Sequence, residues 1–343
     1  MDFTLNDEQR MFSETARQLF ANTCTPEDWR RQMESGSPIE ADRWAAIAET
    51  GLTGVLLPED AGGLGLTELD FAMIAEAAGY YALPDPLIES AGIAAPLLAA
   101  AMPDAKVLSD PSAIVAIAHP INPLVSDAEA AQVIVATKDG DSWLVERDDA
   151  RLTRRQSIDP FRHLYSLDFD TLKAVQLPET DWDIALDRGA LFAAAQGLGL
   201  AQRAVDLAVE YAKQRQQFGK PIGTYQAVKH HLASAQVAIE FARPVVLAAA
   251  ADFAAGDRHS RARISHAKIV ALEAADAAAR TSIQVHGAMG YSWEVDVHLF
   301  LKRALALTNS WGTPVFHRRR IMARIKSEPL GPDRTFARDG VEA

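Results

Sequence analysis

The sequence predicts a mainly α-helical protein with a small β domain: an N-terminal helical domain, a reduced, barrel-like middle β domain and a C-terminal four-helix bundle. Two observations predict this order. Apolar residues recur at helical spacing in the first third and in the second half of the chain, and short β-rich segments lie between them. The 343 residues are 48% hydrophobic and 23% charged, a globular composition with room for two or three packed units.

The N-terminal helical domain is predicted over residues 1–107. A capping residue, Asn6, precedes apolar side chains at helical spacing, so a helix begins there. Further helices are predicted around Trp44, over 69–82 and over 84–102. The Gly-rich segment 58–65 is a tight loop between helices, and it is either a wall over a ligand or a plain connector.

The middle β domain is predicted over residues 108–180. Its four predicted strands share short length, β-branched or aromatic side chains and flanking turn residues. They are 113–117, 132–136, 142–145 and 166–169. Helical segments do not alternate with these strands, so no parallel β-α-β unit is expected.

The C-terminal bundle is predicted over residues 181–328. Three long Ala-rich helices and two shorter ones are predicted, at 186–214, 225–255, 260–285, 297–307 and 316–325. Long helices joined by short connections favour an antiparallel bundle. The last residues, 329–343, are rich in Pro, Gly and charge, and we expect them to form a flexible tail.

Composition argues against several classes of function. The net charge of −12 disfavours nucleic acid as a partner, because a phosphate-tracking surface needs a basic excess. Cys24 is the single cysteine, and His230 and His231 have no acidic neighbours, so no disulfide framework or metal site is expected. Neither a signal peptide nor an uncharged run long enough for a membrane span is evident, so a soluble cytoplasmic protein is expected.

The segment 215–222, RQQFGKPI, is a candidate phosphate-binding loop. Arg215 ends one predicted helix, and the following Gly-Lys-Pro step breaks the helix and sets the entry of the next. An arginine fork can donate two hydrogen bonds to one anionic group. On these residues alone an ordinary corner with a solvated arginine remains open, because no Gly-rich phosphate motif is present.

Four segments taken together resemble the acyl-CoA dehydrogenase family. They are PEDAGGLG at 58–65, GLGLAQRA at 197–204, RQQFGKPIGTYQAV at 215–228 and QVHGAMGY at 284–291, which LKR follows at 301–303. They match the family in order and spacing over most of the chain. The combination is far more specific than any one segment.

The resemblance implies a fold, a cofactor and a reaction. The fold would be helical domain, β domain and four-helix bundle, and the cofactor would be FAD. The reaction would be α,β-dehydrogenation of an acyl-CoA thioester. A base removes the α-proton while the β-hydrogen leaves as hydride to the flavin. Electron-transfer flavoprotein or a similar protein would accept the electrons.

The resemblance also assigns residues to the cofactor. Arg215 and Phe218 match family positions that touch FAD, the first at the pyrophosphate and the second near the adenosine. Gln226 falls where a glutamine lies near the cofactor. Gln284 and Gly287 match contacts of the adenine-diphosphate half, and Ala288 stands where the family has a second glycine. In this family these groups act largely across a dimer interface, on the flavin of the neighbouring subunit.

The catalytic base of the family is missing from both of its usual positions. Trp311 stands where a Tyr-Glu-Gly-Thr segment would supply the glutamate, and Gly189 stands at the alternative position early in the first bundle helix. Asp187 is a weak candidate two residues earlier, on a different helix face, where a helix-start carboxylate is the plainer interpretation.

The flavin-cradling motifs of the middle domain are also missing. The corresponding region, 117–123, reads IAHPINP, and Trp143 is expected in the β-domain core rather than at a flavin. Val315 stands where the family has a polar residue facing the flavin. These losses affect the part that a subunit uses for its own flavin and substrate, whereas the retained residues serve the flavin of a neighbour.

The favoured hypothesis is a partner subunit of a heteromeric acyl-CoA dehydrogenase. The chain resembles the shorter β-type subunits of bacterial α2β2 enzymes that oxidise steroid side-chain or other bulky acyl-CoAs. It would complete the FAD site of a catalytic α subunit, which would bind most of the acyl-CoA. Two alternatives remain: a self-sufficient homo-oligomer with an unusual base such as Asp187, and a scaffold that has lost flavin binding.

Overall fold

The computed structural model describes residues 6–256 and 258–327. The predicted fold class is confirmed: helices come first, a small β region follows, and a helical bundle forms the C-terminal half. The predicted flexible tail, 329–343, lies outside the described residues.

The N-terminal helices follow the predicted pattern, with one addition. They are α1 (Asp7–Thr23), α2 (Pro26–Ser35), α3 (Ala41–Glu49), α4 (Glu68–Tyr80), a π-helical stretch (Ile88–Ala94) and α5 (Ala95–Ala101). Asn6 caps α1 as expected, because its side chain accepts a hydrogen bond from the Gln9 amide at 2.8 Å. Helix α2 was not predicted, although Thr25 and Asp28 form a capping box around Pro26.

The middle domain consists of two separate sheets. Its strands are β1 (Val115–Ala118), β2 (Val125–Ser126), β3 (Val133–Lys138), β4 (Asp141–Glu146), β5 (Ala150–Arg155), β6 (Leu164–Phe169) and β7 (Val175–Gln176). One sheet has the order β1-β3-β4-β7 and the other β2-β6-β5. Within the described residues the two sheets do not form a closed barrel, since neither sheet closes on itself. Strands β1 and β3 pair in parallel without a connecting helix.

The bundle contains the predicted helices. They are α6 (Trp182–Gln214), α7 (Gln226–Ala251), α8 (Arg258–His286), α9 (Val297–Asn309) and α10 (Pro314–Ser327). Helix α6 begins four residues before the predicted start, because the Asp181 side chain caps it through the Ile184 amide at 3.1 Å.

Helix α6 is buried along most of its first half and joins the N-terminal helices to the bundle. Glycines allow its backbone to approach α4 closely. A Cβ atom at Gly199 would lie 1.9 Å from the carbonyl oxygen of Glu76, and one at Gly79 would lie 2.1 Å from that of Gln196. The two helices therefore fix the N-terminal domain against the bundle at backbone distance.

Helix α7 carries an apolar outer surface. In the part of the chain that the structure describes, it is the one helix long and apolar enough to cross a membrane by length and composition, and 28% of its most apolar 18-residue window is buried. A single such helix is weak evidence for a membrane span. Phe241 is 75% exposed on this helix.

Candidate functional site

The RQQFGKPI segment folds into a small hairpin at the end of α6. Arg215 ends the helix, and its amide donates to the Tyr211 carbonyl at 2.8 Å. Strands β8 (Gln216–Gln217) and β9 (Lys220–Pro221) then pair antiparallel around a turn at Phe218 and Gly219. Both turn residues have positive φ, +52° and +81°, which is the backbone pattern of a tight two-residue hairpin turn.

The hairpin is tied to the start of α7. The Ile222 amide donates to the Arg215 carbonyl at 2.8 Å, and the Tyr225 hydroxyl donates to the Gln217 carbonyl at 3.1 Å. The Lys220 ammonium lies 4.4 Å from the centre of the Tyr225 ring. These contacts hold the hairpin in one conformation and fix where its side chains start.

Two side chains of this hairpin have no partner of their own. The Arg215 side chain is exposed, and its guanidinium has no hydrogen-bond or ion-pair partner among the described residues. The Phe218 ring is 93% exposed. The Phe218 backbone is left-handed, a conformation that costs free energy for a non-glycine residue. An unpaired guanidinium beside an exposed aromatic ring suits a ligand with a phosphate and a flat apolar group.

The second candidate segment lies at the end of α8. Gln284 is exposed in the last turn, and Gly287 follows the helix with φ +62°, a left-handed position that favours glycine. Ala288 is exposed in the short 3-10 helix that comes next. Gln284, Gly287 and Ala288 are therefore all open to solvent in the described structure.

Parallel packing of α6 and α8 brings the two segments to the same end of the bundle. The Tyr211 ring stacks on the His286 ring, with centroids 4.2 Å apart and an angle of 25° between the planes. At the other end, Asp187 of α6 contacts Arg261 of α8. We call this end of the bundle the flavin-facing end, after the prediction that assigns six of its residues to the cofactor; they are Arg215, Phe218, Gln226, Gln284, Gly287 and Ala288. Each of the six is exposed.

The two positions that the resemblance assigns to a base lie against each other. A Cβ atom at Gly189 would lie 2.1 Å from Cδ2 of Trp311, so the indole packs directly on the glycine. Trp311 is 3% exposed. Neither position carries a carboxylate, and the indole fills the space into which a side chain at position 189 would extend.

Hydrogen bonds hold Trp311 in this place. Its backbone is left-handed, with φ +55°, and its amide donates to Oδ1 of Asn122 at 2.8 Å. The Lys268 ammonium donates to the carbonyls of Ser310 and Gly312, the second at 2.6 Å. The His317 ring donates through Nε2 to the Trp311 carbonyl at 2.8 Å. All three carbonyls of the loop therefore have partners, and the loop is fixed.

Burial lowers the pKa of three basic groups around this loop. Burial, helped by Arg162, lowers the pKa of Lys268 to about 7. Burial, helped by Lys268, lowers the pKa of His317 to about 3. Burial also lowers the pKa of His119, whose ring lies edge-on to Trp311 at 5.5 Å. Both nitrogens of the His119 ring are hydrogen-bonded: Nδ1 accepts from the Ile121 amide, and Nε2 donates to the Trp182 carbonyl.

Asp187 lies in a double ion pair. Its carboxylate accepts a hydrogen bond from Arg320 at 2.6 Å and lies 3.1 Å from Nε of Arg261. Burial raises its pKa, and the two guanidinium groups oppose that rise. The side chain is 6% exposed. This geometry favours a structural carboxylate over a base.

The middle-domain region that differs from the family borders a cavity of about 310 Å³. His119, Asn122, Lys138 and Phe169 line it. The Lys138 ammonium already has two partners: it donates to the Phe169 carbonyl and lies 3.5 Å from the Asp168 carboxylate. Trp143, expected in the β-domain core, is half-buried and packs against that core. Val315, at the start of α10, is 56% exposed.

Several residues of the site did not emerge from the sequence. Lys268 and Asn122 hold the Trp311 loop by hydrogen bonds, and His119 lies edge-on to the indole, but none of the three belongs to a family motif. One sequence signal could have identified Lys268 as a buried lysine: it lies between Ile264 and Leu272 on the apolar face of a predicted helix. Within residues 6–256 and 258–327, no cluster of three or more His, Cys, Asp or Glu side chains could hold a metal ion.

Comparison with known proteins matches both helical parts of the chain. Residues 6–106 match the acyl-CoA dehydrogenase N-terminal domain, and residues 183–326 match the acyl-CoA dehydrogenase C-terminal domain. The acyl-CoA dehydrogenase IpdE2 of Mycobacterium tuberculosis is 34% identical over 327 residues, which cover 94% of this chain and 97% of that protein.

Two solved structures share the fold over nearly the whole chain. The Tcur3481-Tcur3483 steroid ACAD variant superposes with a TM-score of 0.84 at 25% identity and covers 94% of this chain and 99% of the matched chain. The ChsE4-ChsE5 complex from Mycobacterium tuberculosis superposes with a TM-score of 0.83 at 22% identity and covers 96% of this chain and 100% of the matched chain.

Proposed function

Because the chain belongs to the acyl-CoA dehydrogenase family, we propose that it is the non-catalytic subunit of a heteromeric FAD-dependent acyl-CoA dehydrogenase. It completes the FAD site of a catalytic partner and has no base of its own. The observation that carries the proposal is the contact between Gly189 and Trp311: neither residue has a carboxylate, and the indole fills the space that a side chain at position 189 would need.

The flavin-facing end supports the first half of the proposal. Among the residues that the structure describes, none pairs with the Arg215 guanidinium; Phe218 presents an exposed ring, and Gln284 and Gly287 lie at the same end of the bundle. These groups fit the adenine-diphosphate half of an FAD held by another chain. Arg215 would donate hydrogen bonds to the pyrophosphate, and Phe218 would pack beside the adenosine. FAD supplies the hydride acceptor, and this chain supplies binding and orientation.

The interior of the chain supports the second half. An acyl-CoA dehydrogenase needs a carboxylate at the α-carbon of the substrate. Here the corresponding space holds the Trp311 indole, whose loop is fixed by Asn122, Lys268 and His317. The groups closest to the indole are therefore poor proton acceptors or are already hydrogen-bonded.

The similar proteins support the partner and the substrate class. Two of the matched structures are described as a ChsE4-ChsE5 complex and as a Tcur3481-Tcur3483 steroid ACAD. By analogy, the catalytic partner of this chain is a second acyl-CoA dehydrogenase chain, and the substrate is a bulky acyl-CoA such as a steroid side-chain thioester. The partner binds most of the substrate, and an electron-transfer flavoprotein or a similar protein accepts the electrons.

The alternatives have weaker support. A self-sufficient homo-oligomer would need Asp187 as its base, but two arginines hold that carboxylate. A scaffold without flavin would have no use for an unpaired Arg215 and an exposed Phe218 at one end of the bundle.

Co-expression with the product of a neighbouring dehydrogenase-like gene tests the proposal. We expect the chain alone to be colourless and inactive, and the co-purified complex to be yellow and active toward acyl-CoA with a dye acceptor. The complex should contain one FAD for each catalytic subunit. A flavin-replete, active oligomer of this chain alone would contradict the proposal, and a colourless complex would favour the scaffold.

A further inference from the structure

The rings of Tyr211 and His286 stack where the last turn of α6 meets the last turn of α8. Their centroids lie 4.2 Å apart, and the angle between the ring planes is 25°. His286 is 6% exposed, and its Nδ1 donates to the Ser282 carbonyl at 2.7 Å. This hydrogen bond within α8 fixes the orientation of the imidazole, so Tyr211 stacks on a ring that is already held in place.

Each ring belongs to the helix turn that precedes one of the two segments assigned to the cofactor. The Tyr211 carbonyl accepts from the Arg215 amide at 2.8 Å, so Tyr211 closes the turn at which the chain leaves α6. His286 directly precedes Gly287 and shares the last turn of α8 with Gln284. The stack therefore joins the two helix ends from which the segments emerge.

Both segments are fixed to their own helices at backbone distance. A Cβ atom at Gly223, which follows the hairpin, would lie 3.0 Å from the Ala212 carbonyl oxygen of α6. A Cβ atom at Gly290, in the 3-10 helix after α8, would lie 2.7 Å from the Ile283 carbonyl oxygen. Each segment therefore follows the end of its own helix, and the packing of the two helix ends sets the distance between the segments.

Apart from the stacked rings, the buried side chains near these two helix ends are small or aliphatic. They are Ala204, Val205, Ala208 and Ala212 in α6, and Ala278, Ala279, Ser282 and Ile283 in α8. Small side chains let the helices approach closely but contribute little contact area each. A stacked aromatic pair adds a large flat contact with a preferred geometry, so it fixes the helix ends more strongly than its neighbours do.

We propose that Tyr211 and His286 are positioning residues, which hold the Arg215 hairpin and the Gln284 segment at the separation that lets both contact one FAD. The inference rests on the proposed function, which assigns both segments to the same cofactor. Neither ring needs to touch the FAD. A ligand that contacts both segments binds more tightly when their separation is already fixed, because less conformational freedom is lost on binding.

Removing one ring while both segments stay unchanged tests the pair. Tyr211→Leu keeps an apolar side chain and removes the stack, whereas Tyr211→Phe keeps the stack. Val205→Ala, at a buried position earlier in α6, is the control for lost core packing with both rings in place. The FAD affinity of each complex with the catalytic partner is measured by fluorescence titration, and the free energy of unfolding of each chain by urea.

The separation of the segments is measured in the chain alone. Nitroxide labels at Gln216→Cys and Gln284→Cys report it by double electron–electron resonance, since both positions are exposed. Cys24 stays unlabelled, because it is buried and burial raises the pKa of its thiol to about 12. We expect one narrow distance distribution for the wild type and Tyr211→Phe, and a broader one for Tyr211→Leu.

We expect Tyr211→Leu to weaken FAD binding by the complex about tenfold, near the upper value for an aromatic pair, and both Tyr211→Phe and Val205→Ala to bind FAD as the wild type does. An unchanged distance distribution in Tyr211→Leu would overturn the positioning role and leave the proposed function intact. Equal loss of FAD affinity in Tyr211→Leu and Val205→Ala would also overturn it, because stability alone would then explain the effect. A wild-type complex that binds no FAD would overturn the proposed function and with it the role of the pair in flavin binding.

Discussion

The indole of Trp311 occupies the space that a side chain at position 189 would need, since a Cβ atom on Gly189 would lie 2.1 Å from Cδ2 of the ring. The residues at the two positions where the resemblance places a base therefore restrict each other's size. We expect Gly189→Ala to lower the free energy of unfolding by about 1 to 3 kcal/mol, the usual cost of overpacking a core. Urea unfolding measures it.

The contact between Gly189 and Trp311 predicts that the effect of Gly189→Ala on the free energy of unfolding changes sign when the indole is removed. Trp311→Ala alone should cost about 3 to 5 kcal/mol, because it leaves a cavity. In that background Gly189→Ala should be neutral or stabilising, because the methyl group then has room and alanine is the better helix former. Equal destabilisation by Gly189→Ala in both backgrounds would show that the two residues do not restrict each other.

His317 makes the stability of the bundle depend on pH. Its pKa is lowered to about 3 by burial, from an ordinary value near 6.5. Between these values the unfolded chain binds more protons at this site than the folded chain, so the free energy of unfolding falls as the pH falls from 6.5 toward 3. The loss approaches about 1.4 kcal/mol per pH unit within this window.

Other groups titrate in the same pH range, so the contribution of His317 is obtained as the difference between the wild type and a variant that lacks the imidazole. The free energy of unfolding is compared between the wild type and His317→Gln from pH 7 to pH 4. The stability of the variant should fall less on acidification, and the difference between the two proteins should level off as the pH approaches 7. Parallel curves for the two proteins would mean that His317 is protonated in the folded chain as readily as in the unfolded chain.

Asp187 should matter for stability and not for chemistry. Removing its charge with Asp187→Asn leaves Arg320 and Arg261 without their buried partner, which should cost about 3 kcal/mol. Asp183→Asn is the control, because Asp183 is 62% exposed and its pair with Arg261 contributes little. Turnover per folded complex should be unchanged in both variants, and loss of turnover in Asp187→Asn alone would restore Asp187 as a base.

The long helices could be predicted, because helical periodicity is a local signal. The assignment of the six residues to the cofactor depends on motif spacing and stays a prediction. Helix α2 was missed although Thr25 and Asp28 form a capping box, since few apolar residues follow. Strand β5, with four polar residues in ARLTRR, was missed because its pairing with β6 stabilises it more than its own side chains do. Gly189 and Trp311 lie far apart in the sequence, so no local signal predicts their contact, and only the packed structure shows it.

In the proposed function Arg215 binds the flavin of a partner, so its removal should weaken FAD retention in the complex and leave assembly intact. Arg215→Ala should cost about 1.5 to 3 kcal/mol of FAD affinity, the range for a hydrogen bond to a charged group. Arg215→Lys should recover only part of it, because an ammonium cannot donate in a fixed planar fork. FAD released during dialysis of the complex is measured by fluorescence, with Gln216→Ala, exposed beside Arg215 in the hairpin, as the control. Unchanged FAD retention in Arg215→Ala would remove the phosphate contact from the proposed function.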